Sequence, residues 1–256
     1  MQTLEMVMSG ALDMSLVGNA IIESYCPDFA ILSTPYLFDS LEHQEHVFEN
    51  GSDALAVLYA TTEANGFTVL SAYSLGARNL YTRDGPVTTP EDLAGKKIRV
   101  MGSETCLNMI NAMGGVSVAM AYGDVYSAIQ TKTLDGSENN IITYMDLLQY
   151  KVAPYYNLTG HLILPDELVI SNAVLESMSK EDQAALRRVC RESIPYCYSL
   201  VSSLNATYLA RAEDMGVTVS AVDSDAFRAR CQNLISAAAT KSDVTQALYT
   251  SIMALR

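Results

Sequence analysis

The tightest constraint on this chain lies between Glu91 and Asn140, where strand and helix periodicities alternate twice. Lys96–Met101 reads as a short apolar strand, with Ile98, Val100 and Met101 around a single arginine, Arg99. Ser103 then suits the cap of a helix whose inward stripe is Cys106, Ile110 and Met113, closed by Gly114-Gly115. Val116, Val118 and Met120 alternate as a second strand, and Val125, Ala128 and Ile129 mark a second helix ending near Lys132. Strand–helix–strand–helix with short connections is the α/β signature and predicts a largely parallel sheet.

Arg99 is the residue in this stretch that demands an explanation. A guanidinium does not shed its charge, and an unpaired buried ion costs several kcal/mol. An arginine in a strand core therefore wants an anion, either an internal Asp or Glu or the carboxylate of a bound molecule. Forty residues on, Glu138, Asn139 and Asn140 follow a tight Asp135-Gly136 turn and offer donors and acceptors. The expectation is that Arg99 clamps the carboxylate of a small ligand and that these neighbours read the rest of it.

Net charge sharpens the point. The 256 residues carry a formal charge of −13, which argues against nucleic acid or an anionic membrane surface as partner. An anionic ligand would approach against that field, so its site must be built from a few local cations. Hydrophobic residues make up 49% of the chain, enough for a sizeable core, yet no apolar run reaches the roughly 18 residues of a membrane span. The five cysteines are widely spaced, and Cys190 and Cys197 would sit roughly 10 Å apart along one helix, too far for a disulfide. They read as small buried apolar residues. The first residues carry Leu4, Val7, Met8 and Ala11 at helical spacing, with Glu5 where a signal peptide would be positive, and read as a globular amphipathic helix.

Around the central stretch, Leu41 to Asn65 is mostly helical with a break at Asn50-Gly51, Phe67 to Ala72 is a strand, and Ser74 to Arg83 is extended. Leu168 to Ser171 and Val217 to Val219 are short strands. From Ser179 a helical pattern runs for about thirty residues, through Leu186, Val189, Leu200, Leu204 and Tyr208, with Pro195 inside it and expected to kink it. Such a helix reaches about 45 Å, longer than one lobe of a chain this size, so it is expected to lie across two. The expected lobes are residues 1–76 with 166–205, and 77–165 with 206–256.

Each site candidate has a second reading. Arg99 could be held by an internal carboxylate, Arg78 in Gly76-Ala77-Arg78 could be a surface residue, Tyr122 could be core, and Asn139 and Asn140 could cap the next helix. Catalytic motifs are absent: there is no G-x-S-x-G, C-x-x-C, phosphate loop or dinucleotide fingerprint. His43 and His46, beside Glu42 and Glu45, read as a solvated helix face rather than a metal site, and Cys106 reads as core.

T-P-E-D-L-A-G-K-K-I-R-V (Thr89–Val100), M-A-Y-G-D-V-Y-S-A-I-Q-T (Met120–Thr131) and L-D-G-S-E-N-N (Leu134–Asn140), in that order, resemble the solute-binding proteins of tripartite ATP-independent periplasmic (TRAP) transporters, the DctP-like family. S-G-A-L-D-M at Ser9–Met14, P-Y-L-F at Pro35–Phe38 and G-A-R at Gly76–Arg78 match as well, so the likeness covers nearly the whole chain. It implies a two-lobed α/β fold of the periplasmic-binding-protein type (type II-like), a long helix spanning both lobes, and closure on an organic acid without catalysis, metal or cofactor. In such proteins the arginine of K-I-R-V, here Arg99, pairs the ligand carboxylate. Arg78 and Asn139 add contacts and Tyr122 lines the cleft; Glu138, Asn140 and Ser103 complete the expected site.

S-E-N-N is similar to members that bind hexuronates such as glucuronate or galacturonate, whereas most of the family has Pro after E-N. The resemblance also implies a periplasmic location, TRAP permease subunits as partners, and a monomer. Family members carry an export signal, a strand, a helix and a Q-L-G-x-x-x-E segment before the point where this chain starts; either this sequence is shortened or this copy lacks that strand and helix of the first lobe, and in the second case the lobe is expected to show a sheet edge. A ligand-sensing module of a signalling system and a carboxylate-processing enzyme remain the alternatives.

Overall fold

Two sheets joined by crossing strands organise the chain in its computed structural model, which describes residues 2–256. The elements are α1 (Gln2–Met8), β1 (Met14–Gly18), α2 (Asn19–Ile22), α3 (Leu41–Asn50), α4 (Asp53–Ala60), β2 (Phe67–Ser74) and β3 (Arg78–Thr82). They continue as β4 (Lys97–Val100), α5 (Glu104–Met113), β5 (Val116–Ala119), α6 (Val125–Gln130), β6 (Gly136–Asn139), α7 (Ile141–Asp146) and β7 (Tyr155–Leu162). The chain ends with β8 (Pro165–Ser171), α8 (Asn172–Ser177), α9 (Lys180–Ala212), β9 (Thr218–Ser220), α10 (Ser224–Ala239) and α11 (Asp243–Met253). Several helices start where a side-chain oxygen takes an otherwise orphaned amide: Ser52 accepts from Leu55, Ser103 from Cys106 and Asn140 from Thr143.

The first lobe is built on a three-stranded antiparallel sheet, β1-β8-β2, and the second on six strands in the order β5-β4-β6-β3-β7-β9. The second sheet is mixed rather than largely parallel. β4 runs parallel to β5 and β6, and β7 to β9, but β3 is antiparallel to both its neighbours, β6 and β7. The cause is the crossing: β3 brings the chain in from the first lobe and β7 returns it, so the two must run in opposite directions.

Strand alternation gives this second sheet two buried faces. Leu80, Ile98 and Val100 pack with Met109 and Ile110 of α5 and with Phe227 and Cys231 of α10. Tyr81 faces the other way, into a core with Ile129, Tyr144 and Tyr156. A period of two therefore turns Arg99 away from the side that buries Ile98 and Val100.

Four segments connect the lobes: residues 75–77 between β2 and β3, residues 163–164 between β7 and β8, the 33-residue α9, and residues 240–242 between α10 and α11. At about 50 Å, α9 is long enough to serve both lobes, and the helix continues across Pro195. Its Ile194 and Tyr198 belong to the first lobe's core, while Val201 joins the second's and Leu204 and Tyr208 pack against it. Gly76 marks the first crossing. It takes φ +104°, and a Cβ there would come within 2.5 Å of the Asn205 side chain, which is tied to the Leu75 and Val201 carbonyls.

Two expectations need correction here. The C-terminal stretch does not stay with the second lobe: α10 does, but Leu248 and Ile252 of α11 pack into the first lobe's core with Leu55 and Leu58 of α4. The apolar stripe of α4 needs a cover, and α11 supplies it. His43 is not on a solvated face either. It is buried, with Nε2 3.0 Å from the Ile252 carbonyl and Nδ1 accepting from the Asp39 amide at 3.2 Å, so it helps fasten α11. The five cysteines are free, and four of them are buried.

Candidate functional site

A cavity of about 230 Å³ sits where the two sheets meet at the crossing strands. The second lobe contributes Arg78, Arg99, Tyr122, Asn139, Asn140 and Thr143 to its wall. Gly18 and Asp166 come from the first lobe, and Leu75, Gly76 and Leu164 from the connections. A larger cavity of about 430 Å³ lies in the first lobe between α4, β2 and α9, away from these groups.

Arg99 projects from β4 and is 3% exposed. Its Nε donates to the Met120 carbonyl at 2.8 Å, and its guanidinium carbon lies 5.1 Å from the centre of the Tyr122 ring. Among the described residues Nη1 and Nη2 take no hydrogen bond, and no carboxylate lies within salt-bridge distance. Burial pushes its pKa down; Glu138 opposes that shift and the like charge of Arg78 adds to it. A guanidinium nevertheless stays protonated, so Arg99 presents four N–H donors and a charge with no internal partner.

Arg78 lines the same cavity but is already neutralised. Nε and Nη2 donate to the two carboxylate oxygens of Glu138, Nη2 also to the Glu138 carbonyl at 3.0 Å, and Nη1 to Asn139 Oδ1 at 2.8 Å. Of five donors one is left. Glu138 is fully buried, with His161 Nε2 3.5 Å from Oε2. Burial alone would raise its pKa, but the Arg78 charge and the groups bonded to it outweigh that and bring it down to about 2.

Asn139 is oriented by three bonds to one atom. Its Oδ1 accepts from Arg78, from the Asn140 amide at 2.9 Å and from Asn140 Nδ2 at 3.0 Å, which leaves the Asn139 Nδ2 donors without a partner among the described residues. Asn140 caps α7 through Oδ1, 2.8 Å from the Thr143 amide, and still reaches the cavity wall. The Tyr122 hydroxyl is buried and takes no hydrogen bond among the described residues.

The structure thus brings Arg99, Arg78, Tyr122, Asn139 and Asn140 to one wall and leaves two candidates off it. Glu138 sits behind Arg78 as its counter-ion, because β3–β6 pairing places Leu80 opposite Glu138 and sets the acid beside the arginine. Ser103 is 2% exposed and spends its hydroxyl on the Cys106 amide as a helix cap. Both support the wall without forming it. Asp166 and Thr143 were not anticipated. Asp166 carried a signal: like Arg99, it interrupts an apolar strand, between Ile163-Leu164 and Leu168-Val169-Ile170. Its carboxylate makes no side-chain hydrogen bond or ion pair among the described residues, and burial raises its pKa while Arg78 works against the rise.

Set beside known proteins, residues 1–242 match the family described as bacterial extracellular solute-binding protein, family 7 (DctP). A solute-binding protein of Chromohalobacter salexigens is 34% identical over 255 residues, which is 97% of this chain and 74% of that one. A TRAP periplasmic solute-binding protein of C. salexigens, solved with bound D-glucuronate, superposes with a TM-score of 0.92 at 32% identity, covering 100% of this chain and 84% of that one. One from Xanthobacter autotrophicus with β-D-galacturonate gives 0.92 at 29% identity and the same coverage.

The Citrobacter koseri protein, 30% identical, has been solved in two states. With bound D-glucuronate it gives a TM-score of 0.92 over 100% of this chain and 84% of that one; the apo, open form gives 0.85 over 98% and 83%. This chain thus superposes better on the ligand-bound form than on the open one.

Proposed function

The chain is a family 7 bacterial extracellular solute-binding protein, and on that premise we propose that it is a periplasmic receptor, acting as a monomer, which takes up a hexuronate such as D-glucuronate or D-galacturonate and delivers it to a TRAP permease. The observation that carries this reading is the unpaired guanidinium of Arg99 in the wall of the inter-lobe cavity. In a protein of net charge −13, a buried cation left without an internal carboxylate is a site for an incoming one. The Nη1 and Nη2 fork matches both oxygens of a carboxylate, and such charge-assisted pairs are shorter and about twice as strong as neutral ones.

The rest of the wall suits a polyhydroxylated body. Asn139 Nδ2 and the last free N–H of Arg78 donate, Tyr122 offers a ring face, and Asn140 and Thr143 supply further polar atoms. At about 230 Å³ the cavity lies just below the usual range of ligand pockets, roughly 300–1,000 Å³, and suits a single sugar ring rather than a larger molecule. Because the wall is shared between two lobes joined by four segments, the ligand makes its full set of contacts only when they close. Binding therefore draws the population to the closed form.

Titration calorimetry of the purified protein with D-glucuronate and D-galacturonate, alongside a thermal-shift series of small mono- and dicarboxylates, tests the assignment. Micromolar or tighter binding of a hexuronate supports it. A protein that takes up only non-sugar acids, or none of these compounds, overturns it.

A further inference from the structure

Resting on that functional reading, we infer that Asp166 is the specificity gate of the cavity: it accepts hydroxyl groups of a sugar monoacid and rejects any ligand that brings a second carboxylate. The inference starts from a charge count. The cavity and its immediate backing hold two cations, Arg78 and Arg99, and two acids, Glu138 and Asp166. Glu138 is consumed by Arg78 through both of its oxygens. Among the described residues Arg99 has no internal acid and Asp166 no internal cation within salt-bridge distance, and they enter the same space from opposite lobes, on β4 and β8.

One ligand carboxylate on Arg99 completes the first of these. What remains is a carboxylate whose oxygens only accept hydrogen bonds, facing the far end of the ligand. Hydroxyl groups satisfy it with short, charge-assisted O–H···O⁻ bonds. A second carboxylate there would set two anions against each other in a partly desolvated cleft, with Arg78 already spent.

Gly18 keeps this acceptor accessible. It pairs with Asp166 across β1 and β8, and a Cβ at that position would lie 3.2 Å from Asp166 Oδ1, against the atom that has to meet the ligand.

The test is calorimetry on the wild-type chain, Asp166→Asn and Asp166→Glu, with D-glucuronate, D-glucarate (which carries a carboxylate at both ends) and succinate. For the wild type, D-glucuronate is expected to bind at least a hundredfold more tightly than either diacid. Asp166→Asn removes the charge and keeps the shape, so D-glucuronate should weaken and its preference over the diacids should shrink at least tenfold. Asp166→Glu retains the charge and should still exclude diacids, and circular dichroism checks that both variants fold. Asp166→Asn with the wild-type preference overturns this inference while leaving the hexuronate reading intact. A wild-type protein that binds succinate as well as D-glucuronate overturns it too, and one that binds no hexuronate overturns both.

Discussion

Arg78 and Glu138 neutralise each other inside the second lobe, with Nε and Nη2 of the arginine meeting both oxygens of a carboxylate that is 0% exposed. The two arginines of the cavity are thereby made unequal. Arg78 is part of the scaffold and aims Asn139, whereas Arg99 keeps an unspent charge for the ligand.

If Arg99 receives the carboxylate, Arg99→Ala should weaken hexuronate binding by roughly 2–5 kcal/mol, the range for losing one partner of a buried charge pair. Arg99→Lys keeps the charge but not the fork and should still lose at least tenfold. Calorimetry that finds Arg99→Lys equal to wild type would remove the fork from the account.

Tyr122 offers its ring to Arg99 and to the cavity wall, while its hydroxyl is buried. Tyr122→Phe keeps the ring and removes only that buried hydroxyl, so it should cost less affinity than Arg99→Ala, at most about 1 kcal/mol, the scale of one neutral hydrogen bond. The opposite order, measured on the same ligand, would move the main anchor from the arginine to the tyrosine.

Breaking the scaffold pair should show in stability before it shows in binding. Arg78→Met strands a buried carboxylate and should lower unfolding free energy by about 3–5 kcal/mol. Arg78→Met combined with Glu138→Met should be less destabilised than the sum of the two single changes. Urea denaturation of the four proteins gives the coupling directly, and strict additivity would contradict a tight pair.

The same pair sets an acid limit. Glu138 has a folded-state pKa of about 2, below its ordinary value of 4.5, so the folded form holds fewer protons there than the unfolded one. Its stabilisation is complete above pH 4.5 and is lost as pH falls from about 4.5 toward 2. Glu138→Gln should remove that slope from the pH dependence of unfolding, and a wild-type curve flat across this window would exclude the mechanism.

Glu167 should act with the opposite sign. Both of its oxygens are buried without a hydrogen bond among the described residues, and burial, with Asp166 adding to it, raises its pKa well above 4.5. Here the folded form holds the extra proton, so stability falls as pH rises above about 4.5. Glu167→Gln should be more stable than wild type at pH 8 and close to it at pH 4. Equal stability of the two at both values would argue against a raised pKa.

What the sequence by itself determined was local and electrostatic. The alternation of Ile98, Arg99 and Val100 announced a cation in an apolar strand, the spacing through α9 announced a helix too long for one lobe, and the motifs from Ser9 to Asn140 announced the family. Periodicity reports which face of an element is buried, and a permanent charge on such a face needs a partner, so both could be read without coordinates.

Which acid meets which base was decided only in three dimensions. Sixty residues separate Arg78 from Glu138, and the register of β3 on β6 makes them partners and leaves Arg99 without one. The crossing of β8 likewise brings Asp166 to the cavity from the other lobe, and the packing of α11 on α4 assigns the C-terminus to the first lobe. A hydrogen-bonded ion pair needs its two groups within about 3 Å of each other, and a one-residue shift in register turns every side chain to the other face. Such choices follow from how strands align across the sheet, which no stretch of the chain encodes alone.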